Sequence, residues 1–317
     1  MRIRTDLALE AREVCEEGIQ GSRIPGVEIE NNEQKNCKIT TVEIKTDEGS
    51  EIMGKGIGRY ITLESNLMKY DDDESREEMI DFLKDELVKV FGPEKNKKTL
   101  VIGLGNWNIT SDALGPKTVE KTLVTRHIFK NYNKDYDDDF TEVAGMSPGV
   151  MGITGIETSE IVKSIVDNIK PDRVVAIDAL ASRKMERVNS TIQISTAGIA
   201  PGAGVGNARK ALNKDYLGVD VVAIGVPTVV DAATLTIDVL DLAIDNLIEQ
   251  SQGNDGFYQM LKSLKEDEKY NLIRESLDPY DKNLIVTPKD IDETIENLSI
   301  IISEGLNRSL HPGRIQS

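Results

Sequence analysis

From residue 98 onward the chain alternates short buried-type runs with stretches whose apolar positions recur at helical spacing. Residues 99–104, 141–145, 173–180, 191–195 and 219–226 read as strands. The last of these is apolar almost throughout, as a strand covered on both faces must be. Helices are predicted through Val119, Leu123 and Phe129, through Ile161, Ile165 and Ile169 as far as Pro171, and from 231 to 248 with Leu235, Val239, Leu242 and Leu247. Two closing helices follow, near 258–276 and 289–309. Strands interleaved with helices predict an α/β fold with a mainly parallel or mixed central sheet and helices on both faces.

The pattern before residue 98 is different. Residues 4–17 suit a helix with Asp6 as its N-cap, and the polar, Gly- and Pro-containing residues 18–36 read as loop. Residues 38–45 and 59–63 alternate in the manner of strands and form a predicted antiparallel pair, separated by the turn-like Asp47-Glu-Gly49. An acidic run, Asp71-Asp-Asp-Glu74, starts a helix whose buried face is Ile80, Leu83, Leu87 and Phe91 and which stops at Gly92-Pro93. The chain so divides into an N-terminal helix and antiparallel region (8–97), an α/β core (98–251) and C-terminal helices completing the same domain (252–317).

Composition narrows the function. Aromatic residues are only 4% of 317, so the core is aliphatic, and 55 acids against 38 bases leave a formal charge of −17. That balance argues against direct nucleic-acid or anionic-membrane binding, which needs basic patches. Cys15 and Cys37 form no CxxC pair and imply a reducing compartment. Neither a membrane-length apolar run nor a secretory leader is visible, which predicts a soluble cytoplasmic protein.

The candidate chemistry lies at two predicted strand ends. One is Gly103-Leu-Gly-Asn-Trp-Asn-Ile-Thr-Ser-Asp-Ala-Leu-Gly-Pro116, a strand, a Gly-rich turn and a helix entry, in which Asp112 is the one ionisable side chain. The other is Val174-Val-Ala-Ile-Asp178, where a carboxylate closes an apolar strand. Ligands gather at the carboxyl ends of strands in open α/β sheets. Two carboxylates facing one cleft can divide the roles of an acid–base hydrolase, because like charges push their apparent pKa values apart. Each also has a plain structural role open to it: Asp112 as an N-cap, Asp178 as a partner for a backbone amide. Metal-assisted hydrolysis with a third ligand such as Asp231 stays open, as does an anion- or nucleotide-binding module built on Gly202, Gly204 and Gly206, although neither GxGxxG nor a Walker lysine is present. The Gly-rich 145–155 stretch suits either an ordinary connection or close approach to an extended peptide. His127, read as a structural mid-helix residue, and His311 match no metal spacing, neither cysteine has a nucleophile's partners, and there is no GxSxG elbow.

Several of these stretches together resemble the germination proteases of spore-forming bacteria. They are Leu104-Gly-Asn with Ser111-Asp-Ala-Leu-Gly-Pro116, Pro148-Gly-Val-Met-Gly-Ile-Thr-Gly-Ile-Glu-Thr158, Ala176-Ile-Asp-Ala-Leu-Ala181 and Ile224-Gly-Val-Pro-Thr-Val-Val-Asp231. Arg4-Thr-Asp-Leu-Ala8, Gly58-Arg-Tyr-Ile-Thr-Leu-Glu-Ser65, Arg187-Val-Asn-Ser-Thr-Ile-Gln-Ile-Ser195 and Val286-Thr-Pro-Lys289 extend the resemblance nearly end to end. It implies an atypical aspartic endopeptidase that degrades small acid-soluble spore proteins during germination, in the forespore or spore core. The implied catalytic pair is Asp112 and Asp178, the implied fold is like that of hydrogenase maturation proteases, and the implied assembly is a homotetramer needing no cofactor or metal. It also implies a self-processing zymogen with residues 1–7 as propeptide and the cut between Leu7 and Ala8.

Overall fold

A computed structural model describes residues 5–18, 23–94, 97–131, 140–200, 210–250, 284–311 and 313. Among them a nine-stranded mixed sheet carries helices on both faces. The strands are β1 (Val27–Glu33), β2 (Lys38–Ile44), β3 (Gly58–Glu64), β4 (Thr99–Gly103), β5 (Val143–Met146), β6 (Arg173–Ser182), β7 (Thr191–Ser195), β8 (Asp220–Asp231) and β9 (Ile285–Val286). Their order is β1-β2-β3-β7-β8-β6-β4-β5, with β9 on the end of β8. Strands β8, β6, β4 and β5 run parallel, and β7 through β1 extend the sheet antiparallel. The predicted fold class is the one observed, and the N-terminal antiparallel strands join the core sheet through the β3–β7 pairing.

Alternation along the central strands decides which helix covers which face. Val101, Val175, Ile177, Val222 and Ile224 pack in one cluster with Leu83, Leu87 and Phe91 of helix α3 (Asp73–Phe91). The C-terminal helix, Ile291–Leu310, adds Ile295, Leu298, Ile302 and Leu306 to that cluster. On the opposite face Leu100, Ile102, Val174, Ala176 and Val221 meet Val162 and Val166 of the helix Thr158–Ile169. The apolar positions read for α3 are all buried, and Asp72 caps its first turn by accepting from Ser75 N.

Some boundaries differ from expectation. Strand β1 lies within the expected loop; nearly all its side chains are exposed and several are acidic, so an edge strand shows no apolar alternation. The β2–β3 connection holds a short helix, α2 (Asp47–Met53), capped by Thr46 and ended by Gly54 with positive φ. The predicted helix through Val119, Leu123 and Phe129 is two helices, α4 (Leu114–Lys121) and α5 (Arg126–Asn131). Between them Asn307 Oδ1 accepts from Leu123 N, and Thr125 Oγ1 bonds Thr141 O and Val143 N, so tertiary partners replace the helical ones. His127 is exposed on α5, while His311 is wholly buried and accepts from Thr141 N through Nδ1. The long helix begins at Ala232, with Val239 and Leu242 exposed. The expected helix near 258–276 and the 202–206 loop fall outside the described residues.

The N-terminal helix α1 (Ala8–Gly18) starts later than predicted, and Asp6 does not cap it. Instead Asp6 N donates to Ala181 O at 2.9 Å, and Asp6 Oδ2 accepts from Ala181 N at 2.9 Å. The helix is pinned by ion pairs. Buried Arg187 donates to both Glu13 oxygens at 2.6 and 3.0 Å and to Glu64 at 2.9 Å, and lies 3.3 Å from fully buried Glu10. Glu10 also accepts from the amides of Arg183 and Lys184. Burial raises the Glu13 pKa, but the hydrogen bond and charge of Arg187, aided by Lys184, outweigh it and leave the carboxyl below its ordinary value.

Two measurements test this framework. Arg187→Met should cost about 3–5 kcal/mol in urea unfolding, since it strands buried carboxylates. Because the folded Glu13 pKa is depressed, its contribution is present at neutral pH and lost as pH falls through the lowered value, and Arg187→Met should flatten that part of the acid dependence. Independently, Gly115→Ala should lower stability by roughly 1–3 kcal/mol, because a Cβ there would sit 2.3 Å from Leu104 O and 2.6 Å from Ile177 O, backbone atoms that cannot step aside.

Candidate active site

The site begins where β4 runs out. Its parallel pairing with β6 ends at Gly103 opposite Ile177, and Leu104 N then donates to Ile177 O at 2.8 Å. The chain turns away at Gly105, whose φ of +111° suits glycine alone and whose missing Cβ leaves room for Asp112 O. Asn106 N donates to Asp112 O at 3.0 Å, and Asp112 N donates to Ile109 O at 2.8 Å, closing a compact loop. Thr228 Oγ1 of β8 donates to Ser111 O at 2.7 Å and ties that loop across the end of the sheet. Asp112 is half-buried on a single 3-10 turn, Thr110–Asp112.

The N-cap role for Asp112 does not hold: the cap of α4 is Ala113, and no side chain caps it. The expected backbone partner of Asp178 is present, since Asp178 Oδ1 accepts from Ala179 N at 3.0 Å. Asp178 does not end its strand, however. Strand β6 continues to Ser182 beside β8, while β4 has already stopped, so Asp178 is buried at 5% exposure yet borders open space.

Asp112 and Asp178 line one cavity of about 240 Å³ at the carboxyl ends of the parallel strands. Its walls are mostly apolar: Leu104, Ile109, Val150, Leu180, Val229 and Ile285 contribute, with Gly105 and Gly149 leaving backbone exposed to the space. Gly149, from the Gly-rich 145–155 stretch, has φ +74° and accepts from Thr158 Oγ1. A third acid, Asp6, lines the same cavity. Two carboxylates in such walls can activate a water against a carbonyl and protonate a leaving nitrogen.

Leu7 and Ala8 are wholly buried and are not among the lining residues. Leu7 O already accepts from Ala11 N, the first turn of α1, and Ala8 N donates to Gln193 Oε1 at 2.7 Å. Asp231 also stays outside the cavity; its carboxylate accepts from Thr234 N at the start of the following helix. Among the described residues no three His, Cys, Asp or Glu side chains form a group that could hold a metal ion. Burial pushes the Cys37 thiol up to about 12, which leaves it protonated and poorly nucleophilic. Lys55, Gln193 and the approach of Asp6 went unread in the sequence. Lys55 sits in Gly54-Lys-Gly56, a lysine given backbone freedom on both sides, which is the one local hint available.

No helix among the described residues is long and apolar enough to cross a membrane. The chain is 17% identical to a [NiFe] hydrogenase maturation protease, HycI, from Thermococcus kodakarensis, with a TM-score of 0.34 over 70% of this chain and 98% of that one. It is 49% identical to the germination protease of Clostridium tetani over 98% of this chain and 96% of that protein. It is 43% identical to that of Bacillus subtilis over 98% and 93%. The family model described as germination protease matches residues 5–256 and 242–316. With its length covered and both aspartates inside the matched region, the chain belongs to the germination protease family, and so to the peptidases.

Proposed function

We propose that this protein is an aspartic-type endopeptidase that opens the degradation of small acid-soluble spore proteins at germination, with Asp112 and Asp178 as its catalytic pair. The observation that carries the reading is that these two side chains line a single cavity at the sheet's carboxyl edge. The pair shares one proton. The ionised carboxylate takes a proton from water as the water oxygen attacks the scissile carbonyl carbon; the protonated one supplies the leaving amine, and the C–N bond breaks. No covalent acyl-enzyme forms. The metal-assisted alternative loses support because Asp231, its third ligand, is engaged elsewhere.

Self-processing belongs to the same proposal. Asp6 lines the cavity and binds the edge of β6 at Ala181 through its own N–H and its side chain, which brings the N-terminal segment to the two aspartates' cavity. The resemblance implies a cut between Leu7 and Ala8. As folded, that bond would have to leave the first turn of α1, whereas the Asp6–Leu7 bond needs no unwinding. Geometry so favours removal of residues 1–6, and the resemblance removal of 1–7. The homotetramer implied by the resemblance is read directly by light scattering.

Asp112→Asn and Asp178→Asn should each lower kcat/KM on a purified small acid-soluble spore protein by at least about 100-fold. Each should also leave the chain full-length by intact mass while wild type loses its N-terminal residues. Near-normal turnover in either variant overturns the pair; a wild-type chain that stays whole during full activity overturns self-processing.

A further inference from the structure

Two side chains outside the cavity of the aspartates hold the carbonyl of Asp6. Lys55 Nζ donates to it at 2.9 Å and to Thr5 O at 3.1 Å. Gln193 of β7 reaches the same strand from the sheet: its Nε2 donates to Asp6 O at 3.3 Å, and its Oε1 accepts from Ala8 N at 2.7 Å. Together the two side chains engage Thr5 O, Asp6 O and Ala8 N, while Asp6 N goes to Ala181 O. Apart from Asp6 Oδ2 on Ala181 N, these contacts read backbone and no side chain. Lys55 and Gln193 line a second cavity of about 210 Å³, and Asp6 and Leu180 line both it and the cavity of Asp112 and Asp178. The N-terminal segment therefore lies between two spaces, with its carbonyls held by side chains lining one and the aspartates lining the other.

We propose that Lys55 and Gln193 are a backbone clamp for the peptide to be cut: in this chain they hold the carbonyls of Thr5 and Asp6, and once those residues have left, the same donors hold the corresponding carbonyls of a protein substrate. The inference rests on the endopeptidase reading for its consequence but on separate residues for its geometry. An ammonium suits the task because it offers several donors to carbonyls that diverge along a strand. Burial lowers the Lys55 pKa, opposed by the charges of Asp6 and Glu10. Gln193 offers a donor and an acceptor from one amide, which take up Asp6 O and Ala8 N on either side of Leu7. A clamp of this kind fixes register without demanding a sequence, and leaves the side-chain preference to the two cavities.

The test uses the full chain carrying Asp178→Asn, so that the strand stays attached. Amide hydrogen exchange is followed at Asp6 and Ala8, with the amides of β4 as a control of the fold. Lys55→Met, which keeps the stem and removes the donors, and Gln193→Ala should each speed exchange at Asp6 and Ala8 at least 10-fold; Lys55→Arg should stay near the parent. Unchanged exchange in both variants overturns the clamp. So does loss of β4 protection in both, since the pair would then hold the fold and not the strand. With the aspartates intact, self-cleavage of Lys55→Met should slow at least 10-fold, and after maturation a 14-residue peptide copying residues 1–14 should show a KM raised at least 10-fold with a smaller change in kcat. An unchanged KM overturns the role toward substrate. Absence of any cleavage by wild type would sink the endopeptidase reading, while the exchange data would still judge the clamp.

Discussion

The parallel pairing of β4 with β6 stops at Gly103 and Ile177, while β6 continues to Ser182 with β8 beside it. The backbone N–H and C=O groups of that extension, on the side β4 has left, need partners. Two consequences follow from the mismatch. The chain leaving β4 must turn, and the turn through Gly105 brings Asp112 to the cavity that Asp178 borders. The bared edge of β6 must be paired, and Asp6 pairs it through Ala181. One interrupted strand pairing thus makes the cavity, joins the two acids at it and opens a strand-shaped berth alongside.

Close backbone packing keeps this junction fixed. Gly103 and Gly115 let the start of α4 press on the strand backbone at distances no Cβ would allow, so the loop carrying Asp112 is held from behind. Thr228 holds it from the side through Ser111 O, and Thr287 Oγ1 donates to Thr228 O. The loop carrying Asp112 is therefore held by backbone packing from β4 and α4 and by a hydroxyl of β8, which Thr287 in turn secures.

The sheet was legible because its central strands are short apolar runs with few alternatives. The bounds read for residues 191–195 are those of β7. The end of β6 was not legible as strand: Ala181 and Ser182 lie past the strand read over 173–180, neither is β-branched, and the pairing with β8 shifts register between Leu180 and Ala181. Strand β1 was invisible for the opposite reason, being exposed along its length. The two aspartates could be singled out from their apolar and Gly-rich settings, but whether they met could not, since that depends on strand order. Asp6 misled because an Asp before a helical pattern is an ordinary cap, and only tertiary pairing with Ala181 overrides that preference. The structural histidine was likewise misassigned: His127 is exposed, and His311, unremarkable in sequence, accepts from Thr141 N and meets Leu123 O.

The N-terminal segment occupies its place at the edge of β6 by virtue of being attached. Its bonds to Ala181, Lys55 and Gln193 each contribute on the order of 0.5–1.5 kcal/mol net, while ordering each backbone residue costs about 1–2 kcal/mol. As a free peptide such a strand would bind weakly. Tethered to α1, it faces its berth at an effective concentration on the order of millimolar and outcompetes a dilute substrate. The anchor of that tether, Glu10 and Glu13 on Arg187, follows residues 6–8 in the chain, and Thr5 Oγ1 donates to Glu10. On the proposed self-cleavage, severing the chain before α1 would remove the tether, while the ion pairs of Arg187 with Glu10 and Glu13 keep α1 on the core. On the proposed reading a protein substrate would then meet the same edge, the same donors to its carbonyls and the same two acids, so a site that had cut its own N-terminal segment would need no rebuilding to cut another chain.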